Sequence, residues 1–139
     1  KDVKPYDGIV ELLSDLKKLD IKTVVLSNKS QSGVEKNIHT IIGEGVFDRI
    51  YGERPGIPKK PDPTALNLII EELGFSKDEI LYVGDTATDM KTALGAGVTS
   101  IGVLWGFRDE NELRENKADY IVKSPCEILD IVKNYKALS

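Results

Sequence analysis

Apolar residues recur along this chain in two periods that take turns. Ile9, Leu12, Leu13, Leu16 and Leu19 keep the 3.6-residue spacing of a helix with one buried stripe, and Asp7 stands where it can cap that helix. Residues 21–26 are a β-branched run that stops in the small polar residues Ser27, Asn28, Lys29 and Ser30, which predicts a buried strand and a turn. Ser32 and Glu35 have the spacing of a capping box for a second helix, whose stripe is Val34, Ile38, Ile41 and Ile42 and whose stop is Gly43 and Gly45. Residues 46–51 read as a short strand. Residues 54–63 form a stiff loop with four prolines, from which Asp62 and Pro63 open a helix carrying Leu66, Ile69, Ile70 and Leu73 up to Gly74.

The same alternation continues to the end of the chain. Ser76 and Glu79 form another capping box ahead of a strand over residues 80–83, too short for a helix and closed by Gly84. A helix follows from Thr88, with Met90, Ala93 and Leu94 on its apolar side and Gly95 and Gly97 as its stop. Residues 99–104 predict a strand, 109–116 a short polar helix, 118–122 a last strand, and Ser124 to Glu127 cap a final helix through Ile128, Leu129, Ile131 and Val132. Strands alternating with helices imply an α/β fold, a mostly parallel sheet with helices on both faces.

Composition narrows the partners. The chain has 139 residues, enough for one domain, and a formal net charge of −4, which points to neither nucleic acid nor an anionic membrane surface. A single cysteine, Cys126, excludes a disulfide framework and a thiolate metal cluster. No apolar run has membrane-spanning length, and no secretory leader opens the chain, so the expected compartment is the cytoplasm.

The candidate chemistry lies at strand ends, where open α/β sheets bind ligands. Asp85 follows the strand over 80–83, and Asp89 comes one helical turn later, able to face the same space. Two carboxylates held close suit a hard cation such as Mg²⁺, although Asp89 has the simpler reading of a helix cap. Ser27, with the N–H groups after it, offers a neutral cradle for phosphate oxygens, and Lys60 a cation to offset their charge. Right-handed crossovers place these strand ends on one edge of the sheet. Turn chemistry for Ser27 and a solvated pair for Lys59 and Lys60 are the simpler alternatives. His39 reads as a surface or core residue, Cys126 as an idle thiol, Trp105 and Phe107 as packing, and Arg108 as a group that can meet a substrate carboxylate.

Taken together, Val24-Val25-Leu26-Ser27-Asn28-Lys29, Lys60-Pro61-Asp62-Pro63 and Gly84-Asp85 with Asp89 resemble three motifs of the haloacid dehalogenase superfamily phosphatases, nearest the phosphoglycolate phosphatase branch. Further likeness runs through residues 93–97, 101–106 and 118–121. The resemblance implies a Rossmann-like core. Ser27 and Asn28 would hold the transferring phosphoryl group, and Lys60 would neutralise it and the nucleophile. Asp85 would ligate Mg²⁺, with Asp89 in support; Lys59 matches no motif position. The implied activity is Mg²⁺-dependent hydrolysis of a small phosphorylated metabolite, such as phosphoglycolate, through a phosphoaspartate. A phosphomutase shares this core, and a receiver-like noncatalytic domain is the alternative from another class.

One family motif has no match. The nucleophile and general acid–base come from a D-x-D sequence at the end of the family's first strand, and here no D-x-D follows an apolar run. Asp2 has no strand before it and Asp7 opens a helix. Residues 3–8 are similar to the segment by which family members re-enter the core after a helical cap. The resemblance therefore implies a core that begins just after its cap, inactive alone, with its first strand on a missing N-terminal segment or a partner chain. It also implies unpaired strand edges in the middle of the fold.

Overall fold

Each strand in the computed structural model pairs in parallel with its neighbour, and the strands fall into two groups. Residues 7–43, 45–105 and 109–138 are described, with the side chains of 136–138 left aside. The chain forms two compact units, Lys1–Gly56 and Ile57–Ser139.

In the first unit, α1 (Ile9–Lys18) precedes β1 (Val24–Ser30), α2 (Gln31–Ile41) and β2 (Arg49–Glu53). The N-cap of α1 is Gly8, in the left-handed region at φ 92°, with no side chain capping it, so Asp7 is not the cap that its position suggested. Leu12 and Leu16 are the buried part of the helical stripe. β1 starts later than the apolar run predicted because Asp20, at φ 60°, turns the chain out of the helix and Ile21 N–H returns to the Leu16 carbonyl at 2.9 Å.

β1 and β2 run in register from Val24 opposite Arg49 to Leu26 opposite Tyr51, and the ladder then slips before Ser30 meets Glu53. The Gln31 side chain fills the slip. Its Nε2 donates to the Ile50 carbonyl at 2.8 Å and to Glu35 at 2.8 Å, while its Oε1 accepts Gly52 N–H at 2.6 Å. Gly52 has no room for a side chain, since a Cβ there would lie 2.6 Å from Gln31 Cα and 2.8 Å from the Lys29 carbonyl oxygen. The capping box assigned to Ser32 and Glu35 does not form: Ser30 is the N-cap and accepts Gly33 N–H at 3.2 Å, and Glu35 instead receives Gln31. The helix starts one residue before Ser32 because the strand runs straight into it.

The second unit contains α3 (Thr64–Leu73), a 3₁₀ turn at Lys77–Glu79, β3 (Leu81–Gly84), α4 (Ala87–Ala96), β4 (Thr99–Val103), α5 (Glu110–Glu115), β5 (Tyr120–Val122) and α6 (Pro125–Leu138). Its sheet has the order β3-β4-β5, with Gly84 opposite Gly102 at the end where the strands turn to their helices. Leu66, Ile69 and Ile70 of α3, Met90, Ala93 and Ala96 of α4, Ile101 and Val103 of β4, and Leu113 of α5 are all buried and form the core. The expected capping box at Ser76 and Glu79 is present. Among the described residues β1 pairs with β2 alone and β3 with β4 alone, so each strand keeps one unpaired edge. Val83 on β3 is 45% exposed, unusual for an apolar residue in a parallel sheet. No helix among the described residues is long and apolar enough to cross a membrane.

Candidate active site

The chain leaves β3 at Gly84, and Asp85 is the first residue beyond the strand. Thr86 is extended, at φ −129° and ψ 163°, and serves as N-cap of α4, its Oγ1 accepting Asp89 N–H at 3.2 Å. The cap is reciprocal, because Asp89 Oδ2 accepts the Thr86 hydroxyl at 3.1 Å and Asp85 N–H at 3.2 Å. The capping role that Asp89 offered in sequence is therefore real, and it occupies one oxygen only.

The other oxygen is turned to Lys60. Lys60 Nζ donates to Asp89 Oδ1 at 3.0 Å, and the two side chains are only 14% and 13% exposed. Lys60 arrives from the proline-rich loop through a cis Lys60–Pro61 peptide bond. Asp62 then accepts Thr64 N–H at 2.9 Å at the start of α3. A pair this far out of water costs desolvation that its attraction must offset.

Tyr82 has a role the sequence did not show, and Gly84 a tighter one than closing its strand. Tyr82 lies on β3 on the same side as Gly84, two residues away. Burial, the Asp89 charge and a hydrogen bond to that carboxylate push its phenol well above the ordinary value of 10.0, so it remains a donor to Asp89. Gly84 itself has Asp89 packed on it: a Cβ at Gly84 would lie 2.3 Å from Asp89 Cβ and 2.6 Å from its Oδ2. The G-D-x-x-x-D spacing was the available clue to that contact, since one helical turn folds the second aspartate back over the glycine.

The structure thus brings Lys60, Asp85 and Asp89 together in one unit. Asp85 has no side-chain hydrogen bond among the described residues, whereas both oxygens of Asp89 are engaged. Asp85 therefore fits as a direct carboxylate ligand of a divalent cation, and Asp89 fits as the residue that fixes the turn and Lys60 around it. No cluster of three or more metal-ligating side chains occurs among the described residues, so further ligands would be water, phosphate or groups from elsewhere.

Ser27 and Asn28 stand in the first unit, where the β1–β2 ladder slips. Ser27 Oγ accepts Lys29 N–H at 3.1 Å, the turn chemistry its position suggested, and its own O–H remains a donor. Both residues are half-buried. His39 and Cys126 are exposed, Lys59 is exposed, and Trp105 is half-buried. Asp2, Phe107 and Arg108 lie outside the described residues.

Known proteins are similar to this chain over most of its length. The chain is 31% identical over 132 residues to phosphoglycolate phosphatase of Aquifex aeolicus, covering 95% of this chain and 61% of that protein. It is 30% identical over 132 residues to pyrophosphatase PpaX of Halalkalibacterium halodurans, again covering 95% and 61%. The crystal structure of a predicted phosphatase from Clostridium acetobutylicum superposes with a TM-score of 0.84 at 30% identity, over 93% of this chain and 60% of that one. The chain therefore spans about three fifths of the length of the curated relatives it matches. The family model for haloacid dehalogenase-like hydrolases matches residues 1–103, and the chain belongs to that family.

Proposed function

We propose that the complete protein is a Mg²⁺-dependent phosphomonoester hydrolase acting through a phosphoaspartate. The observation that carries this reading is the Lys60–Asp89 pair beside Asp85. Two carboxylates and one ammonium leave a net negative charge at the end of β3, which favours a cation and disfavours an anionic ester without one. Bound at Asp85, Mg²⁺ supplies charge stabilisation and orientation to the phosphoryl oxygens.

The remaining work falls to side chains. The Ser27 O–H and the Asn28 side chain bind phosphoryl oxygens, and Lys60 holds positive charge against the phosphoryl group and the attacking carboxylate. Asp89 keeps Lys60 and the Asp85 turn in place. The nucleophilic aspartate comes from a strand supplied by another segment or a partner chain, for which β3, paired only with β4 among the described residues, offers an edge. That carboxylate takes the phosphoryl group, the alcohol leaves, and water then cleaves the acyl phosphate. The substrate is a small phosphorylated metabolite, with phosphoglycolate as the first candidate, as the names of the relatives support.

Mg²⁺-dependent release of p-nitrophenol from p-nitrophenyl phosphate tests this reading. The 139-residue chain alone is expected to release none, and the chain supplemented with a D-x-D-bearing strand is expected to turn over, with loss in Asp85→Asn. Release by the chain alone that disappears in Asp85→Asn would place the nucleophile within these residues and overturn the external strand.

A further inference from the structure

The first turn of α4 has N–H groups without helical partners, as every helix does. Thr86 takes that of Asp89. The N–H of Ala87 is taken from outside the helix, by Glu112 Oε2 of α5 at 2.8 Å, across 25 residues of sequence and in a part-buried setting. Ala87 is two residues beyond Asp85, so this bond holds the same turn as the bonds of Asp89.

Glu112 is itself tightly held. Its N–H donates to Asp109 Oδ1 at 2.9 Å and its carbonyl accepts Asn116 Nδ2 at 2.8 Å. Its neighbour Leu113 is 0% exposed and sits on β4, where a Cβ at Gly102 would come within 2.9 Å of Leu113 Cδ1. A carboxylate on a fixed backbone, aimed at a helix N-terminus, is well placed electrostatically and does not need to be ordered when the site is used. The Thr86–Asp89 cap serves the Asp89 N–H, and Glu112 serves that of Ala87, so the two bonds hold different donors of one turn.

We propose that Glu112 is a positioning residue for Asp85, transmitting the rigidity of β4 and α5 to the turn that carries the cation-binding carboxylate. The inference rests on the assignment of Asp85 as that carboxylate. It also singles out the donor: proline at Ala87 removes the N–H but fits the first helical position, and the extended Thr86 before it tolerates the ring.

Amide exchange in the 139-residue chain is the test that needs no activity. In Glu112→Ala the Asp85 and Ala87 amides are expected to exchange about tenfold faster while Ile101 is unchanged, and Glu112→Gln, which retains an acceptor oxygen, restores both. In the complete enzyme, Glu112→Ala lowers kcat about tenfold at constant KM, with Tm lowered by the unsatisfied Ala87 N–H. Ala87→Pro lowers kcat equally, and the double variant is no worse than either single one. Acceleration confined to Ala87 would reduce Glu112 to a local cap and overturn the proposal, as would additive losses in the double variant. Absence of hydrolysis by the complete wild-type protein would overturn the proposed function instead, and the exchange at Asp85 would still decide the role of Glu112.

Discussion

At Gly84 the space a side chain would fill belongs to Asp89, whose Cβ lies 2.3 Å from where a Cβ would stand. Because the nearest atom is Asp89's own Cβ, rotation of the carboxylate cannot relieve the clash, and the helix must move. Gly84→Ala is expected to lose about 1–3 kcal/mol of stability, as overpacking does, and to break the Lys60–Asp89 pair; urea unfolding and Mg²⁺-dependent hydrolysis measure the two effects. Acid sensitivity is also set by single residues. Glu127 accepts the N–H groups of Ser124 and Lys123, and those bonds, Ser124's first, hold its carboxyl below the ordinary value of 4.5. Asp62 is lowered in the same direction by its bonds to Thr64. A depressed carboxylate contributes stability that is complete above the unfolded value and is lost as the pH falls through the folded one. Urea titrations from neutral pH downward should show stability declining below about pH 4.5, with a shallower decline in Glu127→Gln.

Helices and strands here are fixed by short-range chemistry, but their joints are not. The apolar stripes of α1 and α3 are legible, and Leu12, Leu16, Leu66, Ile69 and Ile70 are buried as the period required; on α4 Met90 and Ala93 are buried, but Leu94, expected on the same side, is 57% exposed. The joint between β1 and α2 is not legible locally, because Ser30 and Ser32 are equally good caps in sequence and only the strand's path chooses Ser30. Gln31 carries no local signal for the same reason. Its amide stands in for strand pairing where the ladder slips, and nothing local shows that Ile50 and Gly52 need it. Gln31→Ala leaves a carbonyl and an N–H unsatisfied, which should cost about 1–3 kcal/mol in chemical denaturation and disturb the Ser27 turn beside it.

For the molecule as a whole, β4 is paired on both sides among the described residues, whereas β1, β2, β3 and β5 keep an open edge, and β3 exposes Val83. An unpaired apolar edge invites another strand. The chain by itself should therefore associate as its concentration rises, and Val83→Lys, the charge that natural edge strands use, should suppress that association in light scattering with little change in Tm. A chain completed by a strand on that edge should resist association without the substitution.

Sequence alone determined the alternating parallel architecture, the strand end that presents Asp85, and the family, because these depend on periodicity, turn residues and motifs within a few positions of one another. It also pointed to Lys60 and Asp89 as members of a site. What only the tertiary structure decided is how those charges are spent: Asp89 divides its oxygens between the α4 cap and Lys60, Tyr82 and Gly84 enclose it, and Glu112 reaches Ala87 from 25 residues away. The physical reason is distance along the chain. A carboxylate chooses among donors by where packing places them, and contacts such as Lys60 to Asp89, separated by 29 residues, exist only after loops close and helices settle on the sheet.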